Sequence, residues 1–307
     1  SADYVILATG GPAGIYRDSV YPPCHTGSTG LALGAGAVCC ELQEWQYGLA
    51  SVKFRWNVSG TYQQVLPRYV SVDREGKEHD FLNEYYADPF LAAYNVFLKG
   101  YQWPFDGFKV NGSSAVDLLV YREICEKGNR VFMDFMHDPK GIGPQTFSRL
   151  PQEAYSYLEK SGALLATPIA RLEKMNPKAI ALYAAHGIDL KKEYLEVSVC
   201  AQHNNGGVEV DTNWQSSVQG LYVAGEAAGT FGVYRPGGAA LNSTQAGSLR
   251  AAEHIVYGPA RSLSPRAREL CMESAESLAA TLSSCRGKES NVVRRREEMQ
   301  GRMSRAC

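Results

Sequence analysis

The chain has 307 residues, 45% hydrophobic and 21% charged, with 31 basic against 32 acidic side chains and a formal net charge of −1. That is the composition of an ordinary globular protein, long enough for one large domain or two ordinary ones. Balanced charge offers no field for nucleic acid or an anionic membrane, and no stretch approaches the roughly 20 apolar residues that span a bilayer.

The opening "SADYVILATGG" has neither the basic head nor the small-residue cleavage site of a signal peptide, so a cytoplasmic protein without membrane insertion is expected. Within it, residues 3–11 form a short apolar run stopped by two glycines, the pattern of a buried strand feeding a turn. A domain rarely opens on a central strand, so the sequence reads as a piece of something longer. Residues 26–42, "TGSTGLALGAGAVCCEL", place small residues on a helical segment that would pack closely on a sheet.

From about residue 50 to 196 the character changes. "PRYVSVD" and "NRVFMDF" alternate as strands, while "DLLVYREICEKG" and "PQEAYSYLEKSG" read as helices stopped by glycine. Tyrosine and tryptophan cluster in this α+β region. An amphipathic core and rim accounts for most of these rings, and the surplus is expected to line a cleft.

"GVEVDTNWQSSVQGLYVAGEAAG" then returns to strand, turn and strand, and "ALNSTQAGSLRAAEHIVYG" follows as a helix ending at Gly258. Beyond the breaker-rich "GPARSLSP" come two more helical segments, the last highly charged and without a terminal cap. The eight cysteines (Cys24, Cys39, Cys40, Cys125, Cys200, Cys271, Cys285 and Cys307) show no C-x-x-C spacing, so they are read as buried or idle thiols and no metal is expected.

The densest signal is "EAAGTFGVYRPGGAALN" at 226–242, one glutamate and one arginine among residues with almost no side chain. Glycine costs chain entropy wherever it is fixed, so such a run implies that something needs the backbone close. A plain turn, a packing point between backbones, and a flat or anionic ligand are all compatible with it.

Taken in order, "VILATGG", "TGSTGLALGAGA", "AQHNNGGVEVD", "GLYVAGEAAG" and "RPGGAALN" resemble the flavoprotein subunits of fumarate reductase and succinate dehydrogenase, a group that includes L-aspartate oxidase. The resemblance covers residues 4–257. It implies an α/β fold: a Rossmann-like FAD-binding domain at 1–48 and 197–260, interrupted by an α+β capping domain at 49–196, with a linker and the start of a helical domain at 261–307. The Gly-rich G-x-G-x-x-G unit that holds the FAD pyrophosphate in the family does not appear, so these residues alone are expected to hold FAD weakly or not at all.

The resemblance puts Ala8, Thr9, Gly10, Gly11, Thr26, Gly27, Gly225, Glu226, Gly237, Gly238, Ala240 and Leu241 at the cofactor, with Glu226 on the ribityl chain. A helix starting near Ala240 would aim its free N–H groups at the flavin, and His25 would lie near the FAD. It carries over two catalytic residues, His203 in "AQHNNGG" and Arg235 in "VYRPGG". Two others depart: Trp45 of "EWQYGL" stands where the family has a histidine, and Tyr62 is nearest by spacing to its proton-donating arginine, with Arg55 and Arg68 close by. Losing part of a bidentate carboxylate clamp argues against succinate and fumarate and for a small, mono-anionic or partly apolar substrate. The resemblance leaves room for a separate electron-transfer partner. The rival reading is a cofactor-free interaction or assembly module.

Overall fold

The computed structural model describes residues 2–22, 25, 27–235, 238–258 and 264–306. The chain forms two compact units: Ser1–Arg17, Pro23–Trp45 and His203–Cys307 make the first, Asp18–Pro22 and Gln46–Gln202 the second.

The first unit opens with β1 (Val5–Leu7), α1 (Thr29–Gly34) and β2 (Cys39–Cys40). The chain then runs through β3 (Trp45–Ser51), β4 (Trp56–Asn57), α2 (Thr61–Gln64), β5 (Arg68–Val72), β6 (Glu78–His79), α3 (Phe81–Tyr86) and α4 (Pro89–Lys99). It continues with α5 (Ser114–Tyr121), β7 (Arg130–Asp134), α6 (Gln152–Lys160), α7 (Pro168–Met175), α8 (Pro177–Ala185) and β8 (Leu195–Asn204). β9 (Gly207–Val208), β10 (Leu221–Val223), α9 (Ala239–Tyr257), α10 (Pro265–Ser284) and α11 (Val292–Ala306) complete it.

Local chemistry sets many of these boundaries. Asp88, Thr167, Asn176 and Ser264 each precede a proline and accept a hydrogen bond from a first-turn N–H of α4, α7, α8 and α10. A capping oxygen satisfies an orphan donor, and proline at the first helical position loses no bond there. At the other end, Gly162 follows α6 with φ +62°, and Gly128 has φ +73° after the π-helical turn Arg122–Glu126 that prolongs α5.

In the second unit a six-stranded sheet runs in the order β4-β3-β8-β7-β5-β6. The β3–β4, β5–β6, β5–β7 and β7–β8 pairs are antiparallel, with Val70 opposite Phe132 and Val131 opposite Val197. One core gathers Leu49, Tyr62, Val131, Met133, Leu172 and Tyr183, and a second gathers Phe90, Phe97, Phe147 and Leu158. These two cores absorb much of the region's aromatic excess.

In the first unit β1 pairs with β10 in parallel, Val5 opposite Leu221 and Leu7 opposite Val223. A parallel pair needs a long crossover, here the whole stretch that contains the second unit. The small core holds Ala32, Ala37, Val208, Val223, Ala227 and Ala228, whose size lets backbones approach closely. α11 rests on the 3-10 turn Ala13–Ile15, where Gln300 donates to the Gly14 carbonyl at 2.9 Å.

Two sequence expectations need correction. The strand in "DYVILATGG" is not buried, since Val5 is 53% and Ile6 56% exposed: a two-stranded sheet leaves a face open. The small-residue segment 26–42 is helical over six residues only, because at Ala37 the chain turns into β2. Among the described residues, no helix is long and apolar enough to cross a membrane. Cys200 is buried, whereas Cys125, Cys271 and Cys285 are exposed thiols. Cys24 and Cys307 lie outside the described residues.

Candidate functional site

The site grows from the turn between β8 and β9. A Cβ on Gly206 would stand 2.0 Å from the Glu41 carbonyl oxygen, and one on Gly207 would stand 2.5 Å from that of Ala227. Only glycine fits a turn clasped on both sides at those distances. Hydrogen bonds then fix it: Asn204 N–H donates to Glu226 Oε1 at 2.9 Å, Asn204 Nδ2 to the Leu42 carbonyl at 2.9 Å, and Asn205 N–H to that of Glu44 at 2.8 Å.

His203, just before this turn, is 8% exposed and meets Phe231 edge-on at 4.9 Å. Its Nδ1 lies 3.2 Å from Asn205 Oδ1, and its Nε2 lies 4.0 Å from Glu226 Oε1. Burial, followed by the Arg235 guanidinium charge, pushes the imidazole pKa down to about 4, against a smaller upward effect of the Asn205 bond. His203 is therefore neutral at physiological pH.

Glu226 sits on the 3-10 turn Gly225–Ala227 directly after β10. Its carboxylate lies against Gly11, where a Cβ would come within 2.3 Å of Oε1. Gly10 is crowded by the His25 ring, whose Nε2 lies 2.7 Å from the Thr9 carbonyl oxygen. Gly27 approaches the Gly11 carbonyl in the same way, with a Cβ distance of 2.7 Å. The expected cofactor loops Thr9–Gly11, Gly27 and Gly225–Glu226 thus meet in one crowded cradle, while Ala8 and Thr9 face solvent.

Gly238 precedes α9 in the left-handed region, φ +82°, and no side chain caps the helix among the described residues. A 19-residue helix with an uncapped start presents N–H donors and the positive end of its dipole. Ala240 and the exposed Leu241 lie in that first turn. Thr26 and Gly237 fall outside the described residues.

Tyr62 belongs to the core of the second unit, 6% exposed and edge-on to Tyr183 at 5.7 Å. Burial pushes its phenol up to about 12, so it holds its proton. Trp45 packs edge-on against Tyr16 at 4.8 Å in the first unit. Asn205 was not singled out by sequence. The only sequence signal pointing to it is its position beside a histidine in a Gly-Gly turn.

The residues present fit a dinucleotide cofactor. The start of α9 is uncapped, and Asn204 Oδ1 and Thr29 Oγ1 are buried without a partner among the described residues. Among those residues no cluster of three or more His, Cys, Asp or Glu could hold a metal ion.

We expect the His203 ring to titrate near pH 4 rather than near 6.5, as read by NMR of the 307-residue chain. The sign for stability follows. Between those values the unfolded chain binds a proton that the folded chain refuses. The site's stabilisation is full above pH 6.5 and falls with pH through that window, by up to about 3 kcal/mol. Acid titration of wild type and His203→Asn measures it, and equal losses in the two would contradict the assignment.

A parallel β1–β10 pair joined by a long crossover, a core of small residues and an uncapped helix start make up the architecture of one part of a dinucleotide-binding α/β domain. The chain belongs to the FAD binding domain family, which matches residues 1–241 and makes FAD its cofactor. Similar proteins include the L-aspartate oxidases of Agrobacterium fabrum, 28% identical over 262 residues, and of Caulobacter vibrioides, 30% identical over 272. These alignments cover 84% and 85% of this chain but 41% and 43% of the relatives. The fold matches E. coli quinol fumarate reductase with a TM-score of 0.62 at 21% identity, over 97% of this chain and 46% of that one. It matches Mycobacterium smegmatis Sdh1 with a TM-score of 0.58 at 20% identity, over 99% and 44%. The chain therefore spans less than half the length of these relatives.

Proposed function

We propose that these residues are part of an FAD-dependent oxidoreductase acting on a small substrate with one carboxylate. The observation that carries this reading is the pairing of a neutral buried His203 with the Arg235 charge, on loops that also hold Glu226. When bound, FAD supplies hydride acceptance or donation at N5.

The chain's own residues do the rest. Glu226, braced by the Asn204 N–H and Gly11, would hold the ribityl hydroxyls, and the first turn of α9 would face negative charge on the ring. Arg235 would grip the substrate carboxylate with a planar fork and fix the reacting carbon. His203, kept neutral, would contact the substrate beside it. Tyr62, a core residue with a raised pKa, is a weaker candidate for proton transfer than the sequence spacing suggested.

The similarity to proteins named L-aspartate oxidase supports a small anionic acid as the substrate class. Sequence departures at Trp45 and Tyr62 argue against succinate and fumarate. Electron transfer to a separate partner remains part of the proposal.

Purification of the natural protein that contains these residues tests the reading. A yellow preparation with flavin absorbance is expected, and Glu226→Ala should weaken FAD binding about ten- to a hundredfold, the scale of a lost charged hydrogen bond. A colourless preparation that takes up no added FAD would favour the interaction-module reading instead.

A further inference from the structure

We infer that Gln300 and Ser304 of α11 are positioning residues for the cofactor loop: they hold the end of the 3-10 turn Ala13–Ile15 and through it keep Gly11 against the Glu226 carboxylate, so that docking of α11 and binding of FAD favour each other. The cofactor part rests on the assignment of Thr9–Gly11 and Glu226 to FAD proposed above; the holding of the turn does not.

The turn satisfies its first backbone groups by itself. Ile15 N–H donates to the Pro12 carbonyl at 3.0 Å, and Tyr16 N–H to that of Ala13 at 3.1 Å. The next carbonyl and the next N–H, those of Gly14 and Arg17, are taken by side chains of α11: Gln300 Nε2 donates to the Gly14 oxygen at 2.9 Å, and Arg17 N–H donates to Ser304 Oγ at 3.0 Å. Gly14 is buried, where a carbonyl without a donor is costly. Residues 300 and 304 are one helical turn apart and share a face, with the buried Gly301 beside them.

The turn in turn supports the proposed cofactor loop. Only Pro12 separates Gly11 from Ala13, and Gly11 lies so close to the Glu226 carboxylate that a Cβ there would stand 2.3 Å from Oε1. The same oxygen accepts the Asn204 N–H at 2.9 Å. A shift of the turn therefore moves the surface on which that carboxylate rests. Tyr16, edge-on to Trp45 at 4.8 Å, and the fully buried Ala13 keep the turn attached when α11 lets go, so release loosens it without unfolding it.

Linkage supplies the functional consequence. If α11 steadies the loop that FAD uses, FAD steadies α11 by the same factor. Two ordinary hydrogen bonds are enough to change the population of a loosened turn by about tenfold or more.

Amide exchange on the protein without flavin tests the holding. In Gln300→Ala/Ser304→Ala the Ile15, Tyr16 and Asn204 amides should exchange about tenfold faster than in wild type, while the Val131 amide of the second-unit sheet stays as it is. Ser304→Thr, which keeps the hydroxyl, should behave as wild type, and Ser304→Ala should not. Unchanged protection of all three amides overturns the inference. Faster turn amides beside an unchanged Asn204 amide overturn the link to Glu226.

The cofactor part is read in the natural protein that contains these residues, first on wild type, so that it does not depend on a variant folding. Saturating FAD should slow tryptic cleavage after the exposed Arg302 about tenfold, and the double variant should bind FAD about tenfold more weakly. Equal cleavage with and without bound flavin overturns the mutual dependence. If the amides behave as expected but no FAD is taken up, the holding of the turn stands and the cofactor reading falls.

Discussion

Replacing Arg235 with lysine in the flavin-loaded protein is expected to lower turnover by on the order of 100-fold while leaving flavin content unchanged, the scale on which small misplacement of a reacting group is felt. The charge survives in Arg235→Lys, but the planar fork that orients a carboxylate does not. Because the charge survives, His203 should still titrate well below its ordinary value, which separates loss of orientation from loss of field. The loop itself is held independently, through the Val233 carbonyl on Asn205 and Phe231 on His203, so lysine should not collapse it. Flavin absorbance, steady-state rates and the His203 titration together decide the matter. Normal turnover, or loss of flavin, would make Arg235 a structural residue.

Replacing Arg171 with methionine should destabilise the second unit by about 3–5 kcal/mol, the cost of breaking a buried ion pair from one side. Arg171 is 0% exposed. Its Nε donates to the Val65 carbonyl at 2.8 Å, Nη1 to the Leu165 carbonyl at 2.8 Å, and Nη2 to Asp138 Oδ1 at 2.6 Å. The guanidinium also lies over the Phe147 ring, 5.3 Å from its centroid. Methionine fills much of the volume but satisfies neither carbonyl and leaves the Asp138 charge without its partner. Thermal unfolding should shift down by on the order of 10 °C. A shift of a degree or two would show that water or neighbouring groups replace the guanidinium without loss.

How much of this was legible in the sequence depends on how far apart the interacting groups lie. The helix starts at Asp88-Pro89, Thr167-Pro168, Asn176-Pro177 and Ser264-Pro265 involve neighbours within four positions. The glycine stop after α6 is equally local. The five glycine-bearing segments, in their order, pointed to the flavoprotein fold that the family match and the structural likeness support. His203, Arg235 and Glu226 could be named because each sits inside such a segment.

Other features had no local signal. Arg171 reads as one more charged residue on an amphipathic helix, since its Val65 partner lies 106 positions away. Lys99 and Asp117, a fully buried pair at 2.7 Å, are hidden in the same way. Tyr62 was placed by spacing near a proton-donating position, yet the fold packs it into a core. The β1 run looked buried because it is apolar, but exposure is set by what covers a strand, and a two-stranded sheet leaves one face open.

The sequence by itself determined which segments turn, start and stop, and which glycines allow a close backbone, because those depend on torsions and bonds within a few residues. Only the tertiary structure decided that burial and the Arg235 charge push the His203 pKa down, and which buried charges have partners. Those properties follow from low dielectric and from groups brought together across the chain: Glu226 reaches back 22 positions to the Asn204 N–H, and Asn205 reaches forward 28 to Val233.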